Sequence, residues 1–542
     1  MSSSLNRREF IGLSGAGLLS NATRGGALAS AVVPAGQVEG TKEAYRTMLS
    51  QRKNIVIFMP DEMRADSLAC YGNPVTHTPN FDRLAHEGAR FDQCHVQFPV
   101  CGASRCAMLT GWPTSVRGHR SLYYFLRPQE PNLFRYLRRA NYDVFWFGKN
   151  DALATQSFHD SVTRWSDDSM MGGMRTIPQS LTPGSMSMLY GATGDRREGS
   201  DYRHLQMALD VLKRKEQDKP FCIFLPLNEP HPPYTAPLDF YDMYSPASLP
   251  PLIPPGLNKK PEFHAAIRST YGLDKLDDAT LRKLRAVYYG QVSYSDWMLG
   301  ELMDALDATG HRDETALFVT SDHGDYAGDY GLVEKWPNGL EDCLTRVPLL
   351  ARVPGGQAGL VGREMREMFD IMETCLEIAG VPPETIHTHF SRSLLPQIAG
   401  GPGDAARAAF SEGGYNVYEP QCFEPMGAGG GPYAGKIRLQ NEQPVTVSRS
   451  AMVRTRSAKL IVRPQGQGEL YDLAQDPGET RNLFGDSGSA SLQGELQTQL
   501  LHHFVQTTGV APMDKDPRDS PPYYPTTPKT GLADWHTSIM DK

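Results

Sequence analysis

The strongest constraint in this chain is a recurring join: an unbroken apolar run, then at once a charged side chain or an imidazole. Asn54-Ile55-Val56-Ile57-Phe58-Met59 gives way to Pro60-Asp61-Glu62. Runs at Asp143 to Phe147, Phe221 to Leu227 and Ala316 to Thr320 are followed by Lys149, His231 and Asp322-His323. A run that is apolar at both alternating sets of positions leaves neither face for water, and so predicts a central strand of a parallel sheet. Helical patterns lie between the runs, at Pro131 to Arg139, Leu205 to Lys215 and Leu281 to Leu306. Another opens at Thr78-Pro79-Asn80, where Thr78 or Asn80 caps and Pro79 sits in the first turn. Strand and helix in alternation predict the α/β class, with a large mixed, mostly parallel, doubly wound sheet flanked by helices. In such sheets ligand sites form at the carboxyl ends of the strands, which is where these polar residues fall.

The rest of the chain divides around that core. Residues 1–31 read as an export signal: Asn6-Arg7-Arg8-Glu9-Phe10, a short Gly-rich apolar stretch from Ile11 to Leu19, then Ala27-Leu28-Ala29-Ser30-Ala31. A twin-arginine pair, a modest apolar segment and small residues before a cleavage point mark a Tat-type signal and a periplasmic or secreted product. The apolar run is too short to span a bilayer, and no later run reaches the length a span requires. Residues 32 to 50 read as a polar leader. A catalytic domain is expected over 50–390 and a C-terminal subdomain over 391–542. In the latter, the Gly427 to Gly431 loop precedes short alternating segments at Ser450 to Thr455, Lys459 to Val462 and Glu469 to Leu473, the pattern of a small antiparallel sheet. The Pro-rich stretch Ser245 to Pro255 reads as a surface excursion within the first domain.

Charge and cysteine usage narrow the function. A net charge of -8 over 542 residues argues against a nucleic-acid partner, because neutralising phosphates needs a basic surface. An anionic substrate must therefore meet a local positive pocket. The 8 cysteines show no CxxC pairing, which excludes a zinc ribbon and leaves room for one or two disulfides. One of them, Cys101, stands before a turn with Arg105 four residues on at an expected helix start. Helix-start N–H groups and a guanidinium both favour an anionic oxygen there.

Cys101-Gly102-Ala103-Ser104-Arg105 followed by Leu109-Thr110-Gly111 resembles the sulfatase signature. The likeness extends in order through Asn54 to Cys70, Thr78-Pro79-Asn80, Gly148-Lys149, Pro230-His231, Thr320-Ser321-Asp322-His323-Gly324, Lys335, Glu469-Leu470-Tyr471-Asp472-Leu473 and Asp476-Pro477. The resemblance implies the alkaline-phosphatase-like fold and a Cys101 oxidised to formylglycine (3-oxoalanine) by a formylglycine-generating enzyme. It also implies a divalent metal, calcium before magnesium or manganese, held by Asp61, Glu62, Asp322 and His323 together with the group derived from Cys101. A hard cation with oxygen ligands suits a sulfate ester, whose dense negative charge must be neutralised. Lys149, Lys335 and His231 would face the sulfuryl oxygens, and Arg105 would orient the nucleophile. The expected reaction is hydrolysis of a sulfate monoester, on a sulfated small molecule or glycan: a formylglycine hydroxyl attacks sulfur, the alcohol leaves with a proton from a nearby acid, and the hemiester, losing its remaining hydroxyl proton to a base, expels sulfate and regenerates the aldehyde.

Two positions depart from the family pattern. Glu62 stands where many sulfatases have Asp, and Gly148-Lys149-Asn150-Asp151 puts Asp151 where they have His. The proton-transfer residue is then Asp151, or His119 in Arg117-Gly118-His119-Arg120. Arg117, Arg120 and Arg127 are candidates for binding further anionic groups of a polymer. A phosphonate or phosphate monoester hydrolase of the same superfamily uses the same parts, and a non-catalytic glycan-binding relative would keep the fold alone.

Overall fold

The strands alternate their buried side chains between two cores, one on each face of a single sheet. Val56 and Phe58 of β1 (Asn54–Met59) join one core, and Ile55, Ile57 and Met59 the other. β6 (Phe221–Pro226) and β8 (Thr315–Thr320) divide in the same way, with Ile223, Leu225, Leu317 and Val319 on the first face and Cys222, Phe224, Ala316 and Phe318 on the second. This period of two is why the runs are apolar throughout. Each fully buried Ile, Leu or Phe contributes about 1.5–3 kcal/mol of transfer free energy, so the sheet is held from both sides.

The computed structural model describes residues 35–166, 188–214, 218–424 and 433–509. The expected export segment and the Gly427 to Gly431 loop lie outside them. The described residues from Thr41 onward form one compact unit. Its nine-stranded sheet also contains β2 (Ala89–His95), β3 (Asp143–Trp146), β4 (Arg164–Trp165), β9 (Arg346–Val347), β10 (Leu349–Arg352) and β11 (Leu360–Glu367). The order is β11-β2-β10-β8-β1-β6-β3-β4, with β9 beside β2. β8, β1, β6 and β3 are adjacent and parallel, while β10 runs antiparallel to β8 and β2. The expected mixed, mostly parallel sheet with helices on both faces is therefore present. β5 (Leu189–Thr193) pairs with β7 (Tyr234–Pro237) in a separate two-stranded sheet.

Past residue 400, β12 (Ala409–Gly413), β13 (Ser450–Arg454), β14 (Ala458–Val462) and β15 (Glu469–Asp472) form the small antiparallel sheet. Three of its strands match the alternating segments in the sequence. β12 adds a fourth and ties the sheet to the main core, since Glu412 N–H donates to the Gln97 carbonyl at 2.8 Å. Two other expectations change. A helix, Ala35–Leu49, occupies most of the supposed polar leader, and Met48 in its second half is fully buried. All 8 cysteines are free, so the one or two disulfides allowed from sequence are not formed.

The Thr78 cap is also replaced. Thr78 stands at the N-cap of the helix Pro79–Glu87 without a side-chain cap bond; its Oγ1 accepts instead from Ala69 N–H at 3.0 Å. The helix-start amides are met by Asp296, on the long helix Asp278–Ala308. Its Oδ1 accepts from Asn80 N and Phe81 N at 2.9 and 2.8 Å, and its Oδ2 from Asn80 Nδ2 at 2.9 Å. Asp296→Ala leaves two helix-start donors, one buried and one half-buried, without this partner. It is expected to cost about 2–3 kcal/mol of stability, read as a lower urea or thermal unfolding midpoint; an unchanged midpoint would show that the cap is dispensable.

Candidate active site

Four neighbouring strand ends build the site. β1 turns sharply into Asp61 and Glu62, and Glu62 holds a left-handed backbone (φ 67°), a conformation that costs a non-glycine residue roughly 1–2 kcal/mol. The turn is fixed by its neighbours: Glu62 N–H donates to Asp322 Oδ1 at 3.0 Å, Met63 N–H to Ser321 Oγ at 2.8 Å, and Tyr288 hydroxyl to the Glu62 carbonyl at 2.8 Å. At the end of β3, Gly148 has φ 133°, and a Cβ there would lie 2.0 Å from the Pro226 carbonyl oxygen. Only glycine lets this backbone approach β6 so closely, with Lys149 N–H donating to that same carbonyl at 2.8 Å. The Lys149 side chain is thereby aimed at β1.

The nucleophile candidate enters from the helix Cys101–Thr110, whose residues are all buried. Cys101 Sγ lies 3.1 Å from His323 Nε2, 3.5 Å from Asp61 Oδ1 and 3.6 Å from Lys149 Nζ. Arg105, one turn along and fully buried, fastens the carboxylates. Its Nε donates to Asp322 Oδ2 at 2.8 Å, one terminal nitrogen to Asp61 Oδ2 at 3.0 Å, and the other to the Lys149 carbonyl at 3.1 Å. Arg105 thus acts on the carboxylate pair. Ser104 Oγ adds a bond of 2.5 Å to the Asp322 carbonyl, stapling helix to strand end.

The two histidines are set in defined tautomers by backbone acceptors. His323 Nδ1 donates to the Gly324 carbonyl at 2.9 Å, which leaves the Nε2 lone pair facing Cys101 and available to a cation. His231 Nδ1 donates to the Pro232 carbonyl at 2.5 Å, and its Nε2 accepts from Lys335 Nζ at 2.8 Å. Burial, then Lys335 and Lys149, push the His231 pKa well below its ordinary value, consistent with a neutral ring. Burial raises the Asp61 carboxyl, but Lys149, Arg105 and the histidines outweigh it and hold the pKa well below normal. Glu62 goes the other way: burial lifts it well above normal, Lys335 opposes, and Asp325 and Glu334 add to the rise.

The donor chemistry fits a single cation. Ligand atoms of Asp61, Cys101, Asp322 and His323 all lie within 4.8 Å of one another, a span that one ion with bonds of about 2.0–2.6 Å can bridge. Asp61, Glu62 and His231 form a second such group. Glu62 is divided between the two tasks: its Oε2 accepts from Lys335 Nζ at 2.9 Å, while its Oε1 is buried without a hydrogen-bond partner among the described residues. A buried carboxylate oxygen of this kind is an available ligand.

Of the expected site residues, Asp61, Glu62, Cys101, Arg105, Lys149, His231, Asp322, His323 and Lys335 are brought together. Asp151 adjoins them, with Oδ2 3.1 Å from Lys149 Nζ. His119 does not join them. Its Nδ1 meets the Tyr124 carbonyl at 2.8 Å, its Nε2 meets Glu130 at 3.2 Å, and its ring stacks on Tyr124. Its neighbours Ala103, Cys106 and Thr110 share one small cavity with it. With both ring nitrogens engaged, His119 has no lone pair or proton to offer a substrate. His119→Ala is expected to leave kcat/KM within about three-fold of the parent, as for a residue outside the reacting group; a hundred-fold loss would restore it as a proton carrier. Arg120 and Arg127 are likewise committed, to Glu412 and Glu130, whereas Arg117 is exposed.

Sequence reading passed over the supports behind these groups. Asp325 accepts from Tyr234 hydroxyl at 2.8 Å and from Ala327 N–H at 2.6 Å, and Glu334, also in a left-handed backbone, lies 3.2 Å from Lys335. Their adjacency to His323 and Lys335 in the chain was the available signal.

Residues 53–381 match the family described as Sulfatase. An arylsulfatase of Clostridium perfringens is 27% identical over 387 residues, covering 64% of this chain and 79% of that protein. The multifunctional alkaline phosphatase superfamily protein PehA of Trinickia caryophylli is 29% identical over 512 residues, covering 83% of this chain and 95% of its own. Among solved structures, a phosphonate monoester hydrolase of Agrobacterium radiobacter superposes with a TM-score of 0.70 at 21% identity, over 86% of this chain and 100% of that one, which speaks for the fold. With the family match spanning more than half of the chain, the protein belongs to the sulfatase family of hydrolases in the alkaline phosphatase superfamily.

Proposed function

We propose that the protein hydrolyses sulfate monoesters of small molecules or glycans, with a formylglycine derived from Cys101 as nucleophile and a divalent cation, calcium first, held by Asp61, Glu62, Asp322 and His323. The observation that carries this reading is the position of Cys101 Sγ, within 3.1–3.6 Å of His323, Asp61 and Lys149. The sulfur marks where the formylglycine oxygens would sit. Bound there, the cation supplies charge neutralisation for the ester and the formylglycine supplies a hydroxyl nucleophile.

The remaining work falls to this chain's own side chains. Lys149 Nζ and Lys335 Nζ, both kept protonated by the carboxylates beside them, stabilise negative charge on the transferred group. His231 offers Nε2 beside Lys335, and Asp151, ion-paired to Lys149, is the candidate to take up a proton. The reading includes Tat-type export to the periplasm or beyond, with Cys101 modified in the cytoplasm first.

A phosphonate or phosphate monoester is the second reading. It is favoured by Glu62, which takes the place of the usual Asp and binds Lys335, and by likeness to a relative named as multifunctional. Two measurements test the proposal on one preparation, co-expressed with a formylglycine-generating enzyme. Mass spectrometry of the Cys101 peptide should show formylglycine, and kcat/KM for 4-nitrophenyl sulfate should exceed that for 4-nitrophenyl phenylphosphonate. An intact thiol in fully active protein removes the nucleophile assignment; a reversed ratio removes the sulfate assignment.

A further inference from the structure

The connection from β12 to β13 carries a helix, Ala434–Glu442, with Tyr433 immediately before it. Tyr433 and Lys436 are three residues apart, so they share a helix face. Lys436 Nζ lies 5.7 Å from the centroid of the Tyr433 ring, 3.6 Å from Glu334 and 3.7 Å from Glu424. Glu334 is in turn 3.2 Å from Lys335, which holds Glu62. One carboxylate therefore separates Lys436 from the lysine of the site. Through Lys436, 5.7 Å from its ring centroid, Tyr433 adjoins the Glu334–Lys335 edge of the centre.

One feature of this pair has no structural use. The Tyr433 hydroxyl is buried and has no hydrogen-bond partner among the described residues. Leaving such a group unpaired has a free-energy cost on the scale of a lost hydrogen bond, a cost that phenylalanine would avoid at the same position. Lys436 is buried, and among the described residues its ammonium is held between Glu334 at 3.6 Å and Glu424 at 3.7 Å. A buried donor without an acceptor, beside an ammonium and next to a site for anions, is arranged to receive an oxygen from outside the protein.

We infer that Tyr433 and Lys436 bind the alcohol side of the ester: the Tyr433 hydroxyl donates a hydrogen bond to an oxygen of the substrate beyond the transferred group, and Lys436 supplies positive charge alongside. The inference rests on the anionic-ester reading given above. Lys149, Lys335 and His231 already surround the transferred group itself, so the pair contributes to selection among alcohols.

The test uses calorimetry on the full-length Cys101→Ala protein, purified with its metal, which binds ester without turning it over. Adding Tyr433→Phe should weaken binding of 4-nitrophenyl sulfate about ten-fold, the scale of one net hydrogen bond. Affinity for inorganic sulfate, which lacks the alcohol side, should stay as it was, and the unfolding midpoint should not fall, since phenylalanine removes an unpaired buried hydroxyl. Ester binding that is unchanged, or that weakens in parallel with inorganic sulfate, overturns the contact and leaves the site reading intact. Failure of the Cys101→Ala protein to bind 4-nitrophenyl sulfate or 4-nitrophenyl phenylphosphonate overturns the anionic-ester reading, and the contact with it.

Discussion

Replacing Cys101 with alanine is expected to lower kcat/KM for an aryl sulfate by about 10⁴-fold or more, the range seen when an enzyme loses a covalent nucleophile. The effect should fall on turnover and spare the fold. Cys101 is buried, but its side chain makes no bond on which the helix depends: the Ser104 bond to the Asp322 carbonyl and the Arg105 clamp remain. Removing one sulfur from a packed site costs on the order of 1 kcal/mol, so the unfolding midpoint should move by only a few degrees. Steady-state kinetics beside a thermal melt separates the two effects. Activity retained within ten-fold would show that the reacting group lies elsewhere in the cluster.

Arg105→Lys should rank next, although it conserves charge. The guanidinium is shared among three acceptors, Asp322 Oδ2, Asp61 Oδ2 and the Lys149 carbonyl, in a planar fork. A lysine ammonium is a point charge on a flexible stem and cannot span the same three atoms. The carboxylates would then lose the orientation that brings them within bridging distance of Cys101 and His323. Loss of an oriented partner behind metal ligands typically weakens metal affinity about 10–100-fold, and kcat/KM should fall by roughly 10²–10³. Metal content after dialysis against graded chelator, read with kcat/KM, is the check. Full metal retention with near-parent activity would mean that the carboxylates hold their geometry without the clamp.

What the sequence made legible follows from how local each signal is. β1, β6 and β8 could be read because both of their faces are buried, so nearly every residue is apolar and the run needs no knowledge of its partners. Asp61, Lys149, His231 and Asp322 could be read because each lies within a few residues of such a run. β2 escaped notice: Ala89-Arg90-Phe91-Asp92-Gln93-Cys94-His95 mixes polar and apolar residues and depends for its pairing on β10 and β11, far along the chain. β12 is short, and its place is set by contacts to Val96 and Gln97 that no local pattern announces. The same limit applied at the site. His119 looked available in Arg117-Gly118-His119-Arg120 because its acceptor Glu130 is brought round by the intervening loop. The cap of the helix Pro79–Glu87 comes from Asp296, 216 positions beyond Asn80. Reading outward from a strand end finds the reacting groups; it does not find the residues that hold them from another part of the fold.

The complete burial of the helix Cys101–Thr110 bears on the order of events in this protein's life. Cys101 exposes 1% of its surface, so an enzyme that oxidises its side chain has no access once the sheet, the helix and the strand-end loops have closed. On the proposed reading, the oxidation must precede closure, while the segment is still extended and can enter another active site. Competence is then a matter of history as well as composition. Chain denatured without the modification and refolded alone should regain the same secondary structure and melting behaviour yet remain inert, and no later exposure of the folded product to the maturing enzyme should rescue it.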